Sequence, residues 1–308
     1  MKGSKSECTP VFTAYLIVGT LLLSMPGLLW ADPATPEIRQ GHIIFRGGDG
    51  VVLDVPYVPT EDFIINEMFK LVRLRASDIL YDLGCGDGRI VIGAAKKAGA
   101  RGVGIDIDPA RIAESKAKAI AAGVADRTTF LQQDLFQSDI GDATVVTLFL
   151  LHEINMKLRP KLFGELKPGT RIVSHNFDMG DWTPDKSSSL GLWEDGFHTL
   201  YSWVIPANVS GSWSGQYKNE SLILLVNQKL QRIGGTLVIN KQILLPISEA
   251  EVSGEQIRFV AKSQGQGRVI VFEGNVKGNA LEGILKEEGA KGEPWRAVRD
   301  PSTLSWIE

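Results

Sequence analysis

One stretch of the sequence constrains the fold more than any other, because a buried strand, a glycine-rich turn and a helix follow one another without a gap. Residues 79–83 read Ile-Leu-Tyr-Asp-Leu, apolar apart from Asp82 and typical of a short buried strand. Residues 84–88 read Gly-Cys-Gly-Asp-Gly, and residues 89–98 have a helical pattern. Glycine adopts turns too sharp for other residues and lets a ligand lie against bare main chain. This order is typical of the first strand–helix unit of a doubly wound sheet, where nucleotide cofactors bind.

Strand and helix patterns alternate through the middle of the chain. Helix starts are marked by the acidic run Thr60-Glu61-Asp62 and by Asp108-Pro109, with proline in its favoured first position. The predicted helices are 63–74, 89–98, 110–122 and 155–166, and the predicted strands are 79–83, 102–107, 129–131, 143–151 and 171–175. Alternation at this spacing predicts an α/β fold, a doubly wound, Rossmann-like parallel sheet with helices on both faces. We assign residues 32–206 to this domain.

From about residue 207 the pattern changes to short β-forming runs separated by Gly, Asn and Ser. The clearest runs are 221–226, 235–239, 256–260 and 269–272. Such a series predicts an all-β domain, barrel-like or sandwich-like, over residues 207–308. The region has no His or Cys, so we expect no nucleophilic or metal chemistry there. Trp213 and Trp295, near its two ends, are predicted to be core residues.

The N-terminus carries a segment of its own. Two lysines precede a stretch without any charge between Glu7 and Asp32, whose apolar centre is residues 15–23. This is the pattern of a secretory signal peptide, although Leu29 is a poor match three residues before the predicted cleavage point. If it is not cleaved, the same segment is long enough for a membrane anchor. Residues 1–31 therefore predict an exported, periplasmic or membrane-anchored protein, and leave open on which side of the membrane the α/β domain lies.

Charge and composition exclude several function classes. The net charge is −3, whereas a general nucleic-acid binder carries a basic face, so we expect no nucleic-acid partner. The two cysteines and four histidines have no metal-ligand spacing, and we predict no metal site.

Three aspartates end successive predicted strands: Asp82, Asp106 and Asp134. Asp106 follows Gly86 by about twenty residues, the spacing of an acid that accepts hydrogen bonds from ribose hydroxyls. Dinucleotide sites favour GxGxxG, but the third glycine comes one residue early here. The Asp82 carboxylate would repel a pyrophosphate and attract a cationic ammonium and sulfonium. The pattern therefore favours S-adenosylmethionine, with an NAD-dependent oxidoreductase as the weaker alternative.

The residues expected to bind this cofactor lie in the glycine turn and at the ends of the next two strands. They are Asp82, Gly84, Cys85, Gly86, Gly88, Asp106, Ile107, Asp134 and Leu135. We do not expect Cys85 to be a nucleophile, because no base is paired with it in the turn.

The motifs at 82–88, 104–106 and 133–135 are those of class I, seven-strand S-adenosylmethionine methyltransferases. The resemblance extends further, because the segments 55–60, 87–91, 158–162 and 176–184 are similar to the family of membrane-associated lysine methyltransferases. Mitochondrial members of that family modify the c-subunit of ATP synthase and the adenine nucleotide translocase. The resemblance covers residues 55–184. The sequence departs from it in Cys85, where serine is usual, in the leader and in the β domain.

The resemblance implies in-line methyl transfer, most simply to a lysine amine of a protein acceptor, with a membrane protein as one candidate. The candidate catalytic residues are His152 and His175, which follow predicted strands, and Tyr57. Tyr57 is expected to close over the methionine end of the cofactor. Two other functions remain open: a non-catalytic envelope protein that binds S-adenosylmethionine or a nucleotide, and a methyltransferase acting on a small molecule.

Overall fold

A computed structural model describes residues 37–39, 42–193, 196–263 and 267–307, which form an α/β half followed by a β-barrel. The predicted leader, residues 1–31, lies outside the described residues. Within the described ranges, none of the helices combines the length and the apolar character needed to cross a bilayer.

The α/β half contains four helices and ten strands among the described residues. The helices are α1 (Asp62–Leu71), α2 (Arg89–Ala98), α3 (Pro109–Ala121) and α4 (His152–Glu165). The strands are β1 (Glu37–Arg39), β2 (His42–Arg46), β3 (Val52–Leu53), β4 (Ile79–Leu83), β5 (Arg101–Asp106), β6 (Thr128–Gln132), β7 (Val145–Leu148), β8 (Arg171–His175), β9 (Lys186–Trp193) and β10 (Gly196–Val204). The predicted bounds of β4, α2 and β8 coincide with the observed ones.

Seven of these strands form one sheet in the order β6-β5-β4-β7-β8-β10-β9. The first five are parallel, and Leu83 of β4 lies opposite both Ile105 of β5 and Leu148 of β7. Their carboxyl ends therefore meet at one edge of the sheet. The doubly wound fold is confirmed, but the sheet is mixed, because β9 and β10 form a hairpin and β10 runs antiparallel to β8.

Helices cover both faces of this sheet, as predicted. On one face, α1, α2 and α3 bury apolar side chains such as Ile64, Val91 and Ile112. On the other face, α4 packs its leucines against the sheet together with Trp182 and Trp203. Pro160 is accommodated inside α4. The two buried layers fix the sheet edge at which the strands end.

The C-terminal half is a closed barrel of eight antiparallel strands, which decides between the two predicted β architectures. The strands are β11 (Gly211–Tyr217), β12 (Glu220–Lys229), β13 (Arg232–Ile239), β14 (Ile243–Ser253), β15 (Gln256–Lys262), β16 (Val269–Lys277), β17 (Ala280–Glu287) and β18 (Glu293–Arg299). Trp213 and Trp295 are 0% and 3% exposed, which confirms them as core residues. They pack with Phe259 and Phe272 inside the barrel.

Strands β1, β2 and β3 form a small sheet before the main one. The turn between β2 and β3 docks on the start of α3, where the Gly48 amide donates to Asp108 Oδ1 at 2.9 Å. A Cβ at Gly47 would lie 2.4 Å from Asp108 Oδ2, so only glycine permits this approach. The small sheet thereby leads the chain to the carboxyl edge of the main sheet.

Candidate functional site

A cleft opens at the carboxyl edge of the main sheet, above the ends of β4, β5, β6 and β7. Its empty volume is about 950 Å³, including the part open to solvent. Its walls come from the segment 53–60, the glycine turn, the residues after β5 and β6, and the residues after β7. Its place at the switch point of a doubly wound sheet is where such folds bind ligands.

The glycine turn forms the floor of the cleft, and its glycine positions 84 and 86 have no room for side chains. Gly84 and Gly86 adopt φ values of +81° and +51°, which other residues rarely adopt. A Cβ at Gly86 would lie 2.5 Å from Cε2 of Tyr57. The Tyr57 ring therefore covers the turn directly.

Asp82 is a deeply buried carboxyl of the cleft, with 3% exposure. Thr147 Oγ1 on the adjacent strand β7 donates to Asp82 Oδ1 at 2.7 Å. Burial raises the pKa of Asp82 to about 7; nearby Asp106 and Asp87 add to that rise, and the Thr147 hydrogen bond opposes it. A cationic ligand group beside this carboxyl would favour its ionised form.

Asp106 and Asp134 lie on the cleft wall, and each also organises the turn after its strand. Asp106 accepts from the Gly86 amide at 2.8 Å and from the Asp108 amide at 2.9 Å. Burial raises the pKa of Asp106, and these two hydrogen bonds oppose the rise. Asp134 accepts from the Phe136 amide at 2.8 Å. Each carboxylate oxygen has a further lone pair, so both groups retain acceptor capacity for a ligand.

All of the residues predicted to bind the cofactor line the cleft except Gly88. Gly88 faces the protein interior, where a Cβ would lie 2.6 Å from Phe130 Cε1 and 2.7 Å from Ser115 Cβ. Its absence of a side chain serves the close packing of α2 on the sheet. Gly88 therefore shapes the site from beneath instead of touching its contents.

An ion-pair cluster beside the turn was not predicted from the sequence; in it, two partly exposed cations surround one buried carboxylate. Asp87 is 2% exposed and pairs with Arg89 Nη2 at 2.9 Å and Lys118 Nζ at 2.6 Å. Burial alone would raise the pKa of Asp87, but these partners outweigh it and lower the pKa to about 2. Arg89 Nη1 also donates to the Thr60 carbonyl at 3.1 Å, tying the 53–60 segment to the turn. In the sequence, the run Asp87-Gly88-Arg89 was the feature that could have indicated this cluster.

A second cation, Arg111, contacts the Tyr57 ring that covers the glycine turn. The Arg111 guanidinium lies 4.5 Å from the centre of the Tyr57 ring. Burial raises the pKa of Tyr57, with Asp87 adding to the rise, so its hydroxyl stays protonated at neutral pH. Tyr57 is therefore held between Gly86 below and Arg111 at its face.

The two candidate catalytic histidines occupy different environments. His152 starts α4, is exposed, and its Nδ1 lies 2.7 Å from Asp178 Oδ1. His175 is 1% exposed, and its Nε2 lies 2.9 Å from His198 Nδ1. Among the described residues that line the cleft, neither histidine is found. Phe149 does line it, and its ring centre lies 4.0 Å from that of His175.

Cys85 lies in the cleft floor as a buried thiol. Burial raises its pKa well above the usual range, and the carboxyl groups of Asp82 and Asp106 raise it further. A thiol of this kind is not ionised at neutral pH, so it is not activated as a nucleophile.

The charge of the cleft favours a cation. Its lining contains six carboxyl groups, Asp54, Asp82, Asp87, Asp106, Asp108 and Asp134, and two cations, Arg89 and Arg111. A glycine-rich floor, a covering aromatic ring and a buried carboxyl fit a nucleoside ligand that carries a positive methionine end.

Comparison with known proteins shows the family to which the chain belongs. The family model described as the ANTKMT methyltransferase domain matches residues 82–186. The protein-lysine N-methyltransferase of Saccharolobus islandicus is 46% identical over 154 residues, which are 49% of this chain and 94% of that protein. The chain belongs to the protein-lysine N-methyltransferase family. It is therefore an S-adenosylmethionine-dependent methyltransferase, and S-adenosylmethionine is its cofactor.

Other relatives of the methyltransferase each match about half of the chain. The human lysine N-methyltransferase named for the c-subunit of ATP synthase is 33% identical over 138 residues, covering 45% of this chain and 58% of that protein. A solved structure described as an RNA methyltransferase from Salinibacter ruber, in complex with S-adenosyl-L-homocysteine, is 51% identical. It covers 49% of this chain and 96% of its own, with a TM-score of 0.47.

Proposed function

We propose that the methyltransferase modifies the side-chain amine of a lysine in a protein acceptor. The observation that carries this proposal is the 46% identity to the archaeal protein-lysine N-methyltransferase over 94% of that protein's length. The related lysine methyltransferases named for ATP synthase and for the adenine nucleotide translocase support it as well.

The charge of the cleft supports a cationic acceptor. Carboxyl groups outnumber cations in the lining, and Glu153 and Asp178 add acidic side chains on the side of β7 and β8. A field of this sign attracts the ammonium group of lysine and repels a polyanion such as RNA. Binding of a protonated lysine would therefore be favoured before the amine reacts.

When bound, the cofactor would supply a methyl group on a positive sulfur. The amine lone pair would form the new bond to the methyl carbon, and the electron pair of the broken carbon–sulfur bond would stay on sulfur. The protein has to position the two reactants in line and remove water. Asp82, Asp106 and the glycine turn would hold the cofactor, and Tyr57 would cover it. Phe149 would form an apolar wall beside the reacting amine.

The amine must lose a proton before it reacts, because an ammonium group has no lone pair. We propose His152 as the group that receives this proton. Asp178, 2.7 Å from its Nδ1, would hold the ring with Nδ1 protonated and Nε2 free to accept. His175 is buried against His198 and would act as a support for Phe149.

Methyl transfer to cell extracts tests the acceptor. The full chain would be incubated with methyl-labelled S-adenosylmethionine and separated membrane, soluble-protein and RNA fractions, followed by mass spectrometry of the labelled material. We expect methyl-lysine in protein. Label that is removed by ribonuclease, or that appears only in small molecules, would contradict the lysine proposal. The Asp106→Ala variant serves as the control for label that does not need the cofactor site.

We also propose that residues 1–31 export the protein or anchor it to a membrane, which would bring the cleft close to membrane-protein acceptors. The uncharged segment between Glu7 and Asp32 supports this. Cell fractionation with N-terminal sequencing of the mature chain tests it. A chain in the cytosolic fraction that keeps its original N-terminus would contradict the proposal.

A further inference from the structure

The segment 176–184 makes up all but the last residue of the loop between β8 and β9, and it contacts both helix α4 and the barrel. We call it the acceptor loop. Its first residues turn sharply at the carboxyl end of β8, where Asn176 adopts a φ of +62°. Asn176 is joined to β10 twice, since its amide donates to the Thr199 carbonyl at 2.7 Å and its Oδ1 accepts from the Thr199 amide at 2.9 Å.

Helix α4 holds the near part of this loop. Asn155 is fully buried and its side-chain amide donates to the carbonyls of Phe177 and Asp178 at 3.2 and 3.3 Å. These contacts set the position of two side chains on the cleft side: Phe177, whose ring centre lies 6.3 Å from that of Phe149, and Asp178, which pairs with His152. The near part therefore carries the partner of the proposed proton acceptor.

The barrel holds the far part of the same loop through the turn between β12 and β13. Lys229 Nζ lies 2.8 Å from Asp181 Oδ2, and Arg159 of α4 binds the other oxygen of Asp181 at 2.6 Å. Gln231 Nε2 donates to the Thr183 carbonyl at 2.6 Å. Arg232 Nη2 donates to Thr183 Oγ1 at 3.3 Å. The contacts with Asp181 and Thr183 lie on both sides of Trp182, and together we call them the polar grip.

Leu230, which lies between Lys229 and Gln231, adds an apolar contact between the barrel and the α/β half. Leu230 is 4% exposed although it lies in a hairpin turn, and it belongs to the buried cluster of the α/β half that contains Trp182 and Trp203. Its φ of +57° is unfavourable for leucine, a cost that the burial offsets. The hairpin tip is thus packed into the core beneath the acceptor loop.

We infer that the barrel is a positioning domain for methyl transfer: its β12–β13 turn holds the acceptor loop so that Phe177 and Asp178 stand at the acceptor side of the cleft. Lys229, Gln231 and Arg232 are positioning residues, because they act through the loop and lie outside the cleft lining among the described residues. The part of this inference that concerns the acceptor rests on the proposed function, whereas the hold on the loop does not.

The test compares two barrel variants. The triple variant Lys229→Ala, Gln231→Ala, Arg232→Ala removes the polar grip, two positive charges included, and leaves Leu230 in place. The matched control Lys277→Ala, Arg296→Ala also removes two positive charges, from residues whose ion pairs go to Glu282 within the barrel. Both are surface changes, so we expect both proteins to fold, as checked by circular dichroism.

Amide hydrogen exchange of residues 176–184 and the kinetics of methyl transfer are then measured. For the triple variant we expect exchange in the loop about fivefold faster, a KM for the acceptor raised by a similar factor and an unchanged Kd for S-adenosylmethionine, as the loss of a few exposed polar contacts predicts. The control should match the wild type. Asp181→Asn, which removes one charge from the grip, should lie between them.

The outcomes separate the two proposals. If exchange is faster in the triple variant but no lysine is methylated, the inference that the barrel holds the loop stands. The proposed lysine acceptor is then contradicted. Unchanged exchange in the triple variant would overturn the inference, whatever the acceptor is. A weakened Kd for S-adenosylmethionine would also overturn it, because the effect would then not be confined to the acceptor side.

Discussion

Asp82 Oδ1 accepts a hydrogen bond of 2.7 Å from Thr147 Oγ1 across two neighbouring parallel strands, in a place where Asp82 is 3% exposed. A carboxyl group removed from water to this extent is costly to ionise, and its pKa rises to about 7. Asp82, the residue expected to contact the positive end of the cofactor, therefore has a pKa close to neutral pH.

The first prediction concerns the pH dependence of cofactor binding. If the cationic ligand requires ionised Asp82, affinity should rise with pH and be about eightfold greater at pH 7.5 than at pH 6, with proton release on binding. Calorimetric titration in buffers of different ionisation enthalpy measures both quantities. Asp82→Asn is the control: its residual binding should be weaker and should lose this pH dependence. Affinity that stays constant from pH 6 to pH 7.5 would contradict the assignment.

The same group affects the stability of the free protein. Folding raises the pKa of Asp82 above its ordinary value, so the folded state keeps this proton at pH values where the unfolded chain has released it. The stabilising contribution is complete below about pH 4 and is lost as the pH rises towards about 7. Relative to Asp82→Asn, the free wild-type protein should thus lose stability over this range in thermal denaturation. A constant difference between the two proteins would refute the raised pKa.

The glycine turn gives a second prediction. In Gly86→Ala the new Cβ would lie 2.5 Å from Tyr57 Cε2, at a φ of +51°, so the ring must move off the turn. We expect binding of S-adenosylmethionine to weaken by about tenfold or more, because the floor and cover of the cleft are both disturbed. Gly123→Ala is the matched control, since Gly123 has a φ of +69° but open space around it. Equal effects of the two substitutions on the Kd would argue for backbone strain alone.

Asp106 gives a third prediction. Asp106→Ala should abolish detectable binding of S-adenosylmethionine, since it removes the expected acceptor for the ribose hydroxyls. It also removes hydrogen bonds to the Gly86 and Asp108 amides, so a stability loss of about 1–3 kcal/mol is expected. Calorimetry and denaturant unfolding measure the two effects. A folded variant with unchanged affinity would disprove the ribose contact.

The pair His152 and Asp178 gives a fourth prediction. His152→Gln should lower kcat by about a hundredfold, since general bases contribute on that scale, and leave the Kd for S-adenosylmethionine unchanged. Asp178→Asn keeps the histidine but removes the carboxylate whose Oδ1 lies 2.7 Å from its Nδ1, so kcat should fall by less than in His152→Gln. An unchanged kcat in both variants would mean that the proton leaves by another route.

Local sequence patterns predicted much of the α/β half. The bounds of β4 and α2 follow from an apolar run, a glycine turn and a helical pattern that are all close together in the chain. The three aspartates at strand ends were found for the same reason. The hairpin of β9 and β10 was not predicted, because its serine-rich first strand takes its structure from pairing with β10 and β8.

The candidate site was predicted only in part. The sequence places Asp87 in the glycine turn, but the pairing of Asp87 with Lys118 depends on α3 returning beside the turn. His175 and His152 are both candidate catalytic residues in the sequence because both follow predicted strands. The fold exposes His152 and buries His175 against His198. Burial is a property of the packed layers, and neighbouring sequence carries little information about it.

By itself the sequence determined the sheet class, the cofactor motif and the presence of a second, β-rich domain, since each depends on residues adjacent in the chain. Only the tertiary structure decided that this domain closes into a barrel and that Leu230 packs into the core of the other half. It also decided the pairing of Lys229 with Asp181. Such contacts join residues far apart in the chain, and they form only where folding of both halves brings their surfaces together.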